Sequence, residues 1–127
     1  MVKAMEAAQA AARKAIESTY RGLCTIVEYQ KFTDPETKIT GKHEVPVISD
    51  QPCKLSFERV TPAVNTETAT AISQSTKLFL PPEVPVKPGS KLVITQDGVT
   101  TEHSASGIPA VYPTHKEIML EAFEGWA

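Results

Sequence analysis

The stretch Ser75–Gly107, STKLFLPPEVPVKPGSKLVITQDGVTTEHSASG, decides how this chain folds. It reads as strand, proline-stiffened connection, strand, tight turn, strand. Lys77-Leu78-Phe79-Leu80 extends, and Pro81, Pro82, Pro85 and Pro88 then exclude helix and hold the backbone open. Lys91–Thr95 is rich in β-branched residues, and Asp97-Gly98 supplies the two positive φ angles of a two-residue hairpin turn. Val99–His103 runs back. The second half is thereby committed to antiparallel sheet. Within it lies no nucleophile–base pair, metal cluster or glycine-rich phosphate loop.

Working outward, the period of two continues. Cys53, Leu55 and Phe57 alternate with Lys54, Ser56 and Glu58, which predicts one face in the core and one in water. Upstream, Cys24 and Ile26 alternate with Thr25 and Val27. Thr33-Asp34-Pro35-Glu36-Thr37 is turn chemistry, because Pro35 presets φ and Asp34 can bond the backbone ahead. Lys38–Ser49 is expected to return as a second strand, with Pro46 at an edge or bulge. Asp50-Gln51-Pro52 is expected to turn the chain. Val60–Ser75, VTPAVNTETATAISQS, reads as a long polar loop or short helix between strands. Tyr112–Phe123 opens with a turn at Pro113-Thr114. Ile118, Leu120 and Ala122 then alternate as a strand, although the same residues tolerate helix.

The first twenty residues differ. They are alanine-rich, without glycine or proline, and predict a helix from Met1 to about Tyr20, with Gly22 as its stop. At roughly 100° per residue, Lys3, Glu6, Arg13, Lys14 and Glu17 share one arc, and Met5, Ala8, Ala12 and Ile16 lie opposite. Such a thin apolar stripe can cap its own domain or contact a neighbouring subunit. The expected organisation is a helix over residues 1–21 and a small antiparallel β-barrel over 22–127, mainly β in class.

A length of 127 residues fits one domain with a modest core, and 41% hydrophobic with 22% charged residues is ordinary for a folded protein. The formal net charge of −2 argues against tight general binding to nucleic acid, which needs a basic excess. Two cysteines 29 positions apart read as buried free thiols of a reducing compartment. The N-terminal run lacks a leucine-rich segment of signal-peptide type, and no stretch approaches the ~20 apolar residues of a membrane span. His43, His103 and His115 fall at unrelated positions. His43 and His103 have glutamate neighbours, but adjacent strand residues point to opposite faces and form no dyad. Ser104 and Ser106 lie in no nucleophile elbow. Lys77, Lys87 and Lys91 form a weak basic cluster. The sequence therefore predicts no enzyme, no metal and no cofactor.

The order of these elements, with certain short motifs, resembles the head-completion proteins of tailed bacteriophages and prophages, also called head–tail joining or stopper proteins, in the form found in Gram-positive hosts. The carrying residues are Gln51-Pro52-Cys53-Lys54-Leu55, Ser73–Leu80, Val86-Lys87-Pro88-Gly89-Ser90-Lys91-Leu92, the Gly98 turn and Tyr112–Glu117. The resemblance covers Tyr20 to Phe123, and the alanine-rich helix departs from it. It implies a virion protein that forms a ring at the portal vertex after DNA packaging, after residence in the host cytoplasm, with portal or adaptor and tail proteins as partners and only transient contact with packaged DNA. By chain order it implies a channel-facing loop carrying Val60, Thr61, Asn65, Thr66, Glu67, Thr68, Thr70, Ser73 and Ser75. Assembly contacts are expected at Met5, Ala8, Ala12 and Ile16 of the helix and at Asp34, Glu36 and Lys38 of the first hairpin. Two other classes stay open. A nucleic-acid-binding barrel would stack bases on Tyr29, Phe32, Phe57 or Tyr112. The other is a β-domain of some different bacterial complex.

Overall fold

The computed structural model describes residues 2–60 and 73–126. Helix α1 spans Val2–Glu17 and is followed by β1 (Gly22–Thr33), β2 (Thr40–Val60), β3 (Ser73–Leu80), β4 (Lys91–Gln96), β5 (Val99–Val111) and β6 (Lys116–Ala122). The strands close into an antiparallel barrel in the order β1-β2-β3-β6-β5-β4. Closure removes the edges of an open sheet wherever neighbouring strands overlap.

Alternation builds the core. Cys24, Ile26, Cys53, Leu78, Leu80, Leu92 and Ile94 are 0% exposed, and Leu55, Ile118 and Leu120 join them. Each buried aliphatic side chain contributes about 1.5–3 kcal/mol. Val84 and Val86 of the proline-rich connection also enter this core, so that segment closes the barrel as well as spanning it. Lys116 is buried at the same end, where its Nζ donates to the Val84 carbonyl at 2.6 Å. Cys24 and Cys53 are free, buried and hydrogen-bonded to one another, which together with burial pushes the Cys24 thiol up.

Two turns form as the sequence predicts. Asp97 and Gly98 take φ of 53° and 78°, the type I′ pattern, and join β4 to β5. At the β1–β2 tip, Asp34 Oδ1 accepts from the Glu36 amide at 2.8 Å, and Lys38 takes φ of 57°.

Four expectations are corrected. Asp50-Gln51-Pro52 does not turn the chain, because β2 runs unbroken for 21 residues. The pairing with β1 instead slips twice, from Cys24↔Gln51 to Ile26↔Ile48 and then to Val27↔Pro46. Asp50 sits at the first slip with φ of 52°, a conformation Asp tolerates, and the bulges bend the strand around the barrel. Phe57 is 55% exposed rather than core. It pairs with Thr76 of β3, and by this point β2 has passed the end of β1, so no β1 residue pairs with it. The helix stops at Glu17 rather than near Gly22, as Ser18 and Thr19 turn their hydroxyls back to the Ala15 and Ile16 carbonyls at 2.6 Å. Finally, β5 continues past His103 to Val111 through a bulge at Gly107–Pro109.

Gly22 instead opens β1 at a crowded node. A Cβ there would lie 3.1 Å from Gln96 Oε1 and 3.2 Å from both the carbonyl oxygen and Sγ of Cys53. Beyond Cys53, β2 has no β1 partner, and the Gln96 side chain takes the place of one. Its Oε1 accepts from the Leu55 amide at 2.8 Å and its Nε2 donates to the Leu55 carbonyl at 3.0 Å. A side-chain amide thus completes the ladder where a strand ends.

Candidate functional site

Two surfaces stand out once the barrel is in place. The first is α1. None of its sixteen residues is buried: Met5 is 64% exposed, Ala8 and Ala12 are exposed, and Arg13, Ile16 and Glu17 are half-covered. Isolated helices of this length are marginal in water, and among the described residues none covers the apolar stripe of α1 fully. Its attachment lies at its C-terminal end. Arg13 pairs with Glu17 at 2.8 Å and with Glu83 of the proline-rich connection; these carboxylates raise the guanidinium pKa, and Arg13 holds Glu83 below its ordinary value. Arg21 Nε donates to Asp97 at 2.9 Å. Between the last turn and the barrel lies a cleft of about 470 Å³ lined by Ile16, Tyr20, Lys54, Phe79 and His115. The Tyr20 hydroxyl is buried there without a partner among the described residues, and burial pushes its pKa up to about 12.

The second surface is a strap formed by Phe123–Trp126 across the outside of β1, β4 and β5. Trp126 stacks on Tyr29 with centroids 4.8 Å apart and donates Nε1–H to Glu44 at 3.0 Å. Phe123 meets Trp126 edge-on and lies under the Lys91 ammonium, 4.8 Å from its ring centroid. Lys91, only 12% exposed, bridges Glu44 at 3.1 Å and Glu102 at 2.9 Å. Trp126 and Lys91 hold the Glu44 carboxyl below its ordinary value. Nothing in the period-two pattern announces this strap; the single tryptophan, Trp126, was its one sequence signal.

The expected assembly residues fall in separate places. Met5, Ala8, Ala12 and Ile16 lie on α1, and Asp34, Glu36 and Lys38 form the β1–β2 tip. No hydrogen bond or ion pair among the described residues joins the two groups. Of the loop positions, Val60, Ser73 and Ser75 are strand residues, with Val60 opposite Ser73 and Glu58 opposite Ser75. Thr61, Asn65, Thr66, Glu67, Thr68 and Thr70 lie outside the described residues. The lysine cluster does not form, because Lys91 is held by carboxylates and Lys77 sits on β3 opposite Met119. The four candidate stacking aromatics are spread over the surface. Tyr29 is under Trp126, Phe32 is edge-on to His43, Phe57 borders a hollow with Val99, and Tyr112 stacks on His115.

Among the described residues, no group of three His, Cys, Asp or Glu side chains is placed to hold a metal ion, and no helix is long and apolar enough to cross a membrane. No family model matches the chain, and no curated protein matches it. One solved structure similar to it is the phage-like element PBSX protein xkdH from Bacillus subtilis, at 12% identity and a TM-score of 0.43, over 81% of this chain and 96% of that one. That score is too low for the likeness to bear on function.

Proposed function

We propose that this chain is a structural virion protein of the head–tail connector of a tailed phage or prophage. It would join a homo-oligomeric ring on the portal or adaptor, close the DNA channel after packaging and offer a docking surface to the tail, with no catalytic role. The observation that carries this reading is α1, a sixteen-residue amphipathic helix with no buried residue. A helix so exposed gains its stability from a partner. The sequence resemblance over Tyr20–Phe123 supports the same reading. So does the mild negative charge, since a conduit that neutralised many phosphates would grip the DNA it must pass.

The test is to mix the purified protein with DNA-filled, tailless capsids and image the portal vertex by electron microscopy. New ring density with retained DNA is the expected result. A protein that stays free, with vertices unchanged, overturns the proposal. Removing residues 1–17 should leave the barrel folded, since the core takes nothing from α1, and should abolish vertex binding.

A further inference from the structure

We infer that the cleft beside the outer half of β1 takes an extended acidic peptide from a partner protein, added as a further strand on the free edge of β1. This goes beyond the connector reading, since it depends on the cleft alone. Strand β4 ends at Lys91, opposite Val27, whereas β1 continues from Glu28 to Thr33 paired only with Lys42–Val45, Gly41 and Thr40 of β2. Alternate residues of an antiparallel strand aim both N–H and C=O at one neighbour, so this stretch presents a row of groups with no strand to meet them among the described residues. The chain that would have supplied that strand turns away. The Ser90 amide donates to the Lys87 carbonyl at 3.1 Å and the Gly89 amide to the Ala105 carbonyl at 2.9 Å.

What remains is an open cleft of about 710 Å³ whose walls include Glu28, Tyr29, Lys31, Lys42, Lys87 and Trp126. Its charge selects the occupant. Three lysines face one glutamate, and that glutamate meets Lys87 only at 3.7 Å. Lys31 and Lys42 sit directly opposite each other across the ribbon, and neither has an ion-pair partner among the described residues. Like charges in register cost stability by themselves, and carboxylates from an added strand would offset that cost. The stacked Tyr29–Trp126 pair gives the site an apolar wall. Because those two rings lie 5° from parallel against each other, their shared faces are closed to nucleobases. A peptide supplies both the amide ladder and the carboxylates; a nucleic acid supplies no ladder.

The experiment titrates the full-length protein into a labelled peptide of alternating glutamate and valine, read by anisotropy and by the fluorescence of Trp126, the single tryptophan. Saturable binding is expected, with a shift in the Trp126 emission and weakening at high salt. Lys31→Glu with Lys42→Glu should weaken binding about tenfold, and Lys87→Glu, placed off the ribbon, should weaken it in the same direction. All three side chains are exposed, so an unchanged melting curve accompanies these variants. N-methylation of alternate peptide amides should abolish binding. The inference is overturned by absence of saturable binding, by equal binding of a lysine–valine peptide, by indifference to N-methylation, or by tighter binding of a single-stranded oligonucleotide.

Discussion

Strand β4 and helix α1 are both two-faced in sequence, and they meet opposite fates. β4 turns Leu92 and Ile94 inward to 0% exposure between β1 and β5, and even its Gln96 is 7% exposed. α1 carries Met5, Ala8, Ala12 and Ile16 along one stripe and buries none of them. Periodicity decides which face is available for burial. Whether burial happens depends on a second layer and on how much apolar surface the stripe offers. A stripe that is mostly alanine offers few methylenes at about 0.8 kcal/mol each, too little to hold the helix flat on the barrel.

That contrast can be tested hard at its buried side. Ile94→Ala should cost about 2–5 kcal/mol in urea unfolding, because it empties a fully enclosed position, while Met5→Ala should stay within about 0.5 kcal/mol. Equal losses at the two sites would break the comparison. Gln96→Leu keeps the size of the side chain and removes the amide that completes the Leu55 ladder. It should cost about 2–3 kcal/mol by leaving a buried N–H and C=O without partners. A neutral result would show that Leu55 finds another partner at the end of β1.

The pH dependence sharpens the barrel side further. Burial holds His103 below its ordinary value of 6.5, so the unfolded chain takes up its proton first as pH falls. Stability should therefore be full above 6.5 and decline below it. A separate decline should begin near 4.5, where the unfolded chain protonates Glu44 and Glu83 before the folded one, in which their partners hold both below that ordinary value. In a melting series, His103→Gln should remove the first decline and leave the second. The smallest effect belongs to the helix. Ala10→Pro should abolish much of the helical signal at 222 nm, since proline costs a helix interior about 3 kcal/mol, yet leave the cooperative melting of the barrel where it was. A large fall in melting temperature would mean that α1 supports the barrel after all.

Much of the molecule was legible in the chain itself. The β3–β4–β5 order, the Asp97-Gly98 turn, the Asp34 turn and the two-faced pattern of α1 are read from neighbours a few residues apart. The candidate site was less legible. The Phe123–Trp126 strap and the free edge of β1 join residues from the two ends and the middle of the chain, and no local period records such a meeting. Asp50-Gln51-Pro52 shows the same limit from the other side. Its residues suit a turn, but continuous pairing with β1 holds them in a bulged strand.

The sequence by itself determined which segments extend, that Asp97-Gly98 turns with positive φ and which side chains could face a core, because those choices rest on sterics and periodicity within a few residues. The tertiary structure alone decided that Phe57 lies beyond the barrel end, that Gln96 serves β2 as a strand would, that Lys116 is buried against Val84 and that α1 stays uncovered. Each of these depends on what closure of the barrel brings within reach, and that distance is measured across space rather than along the chain.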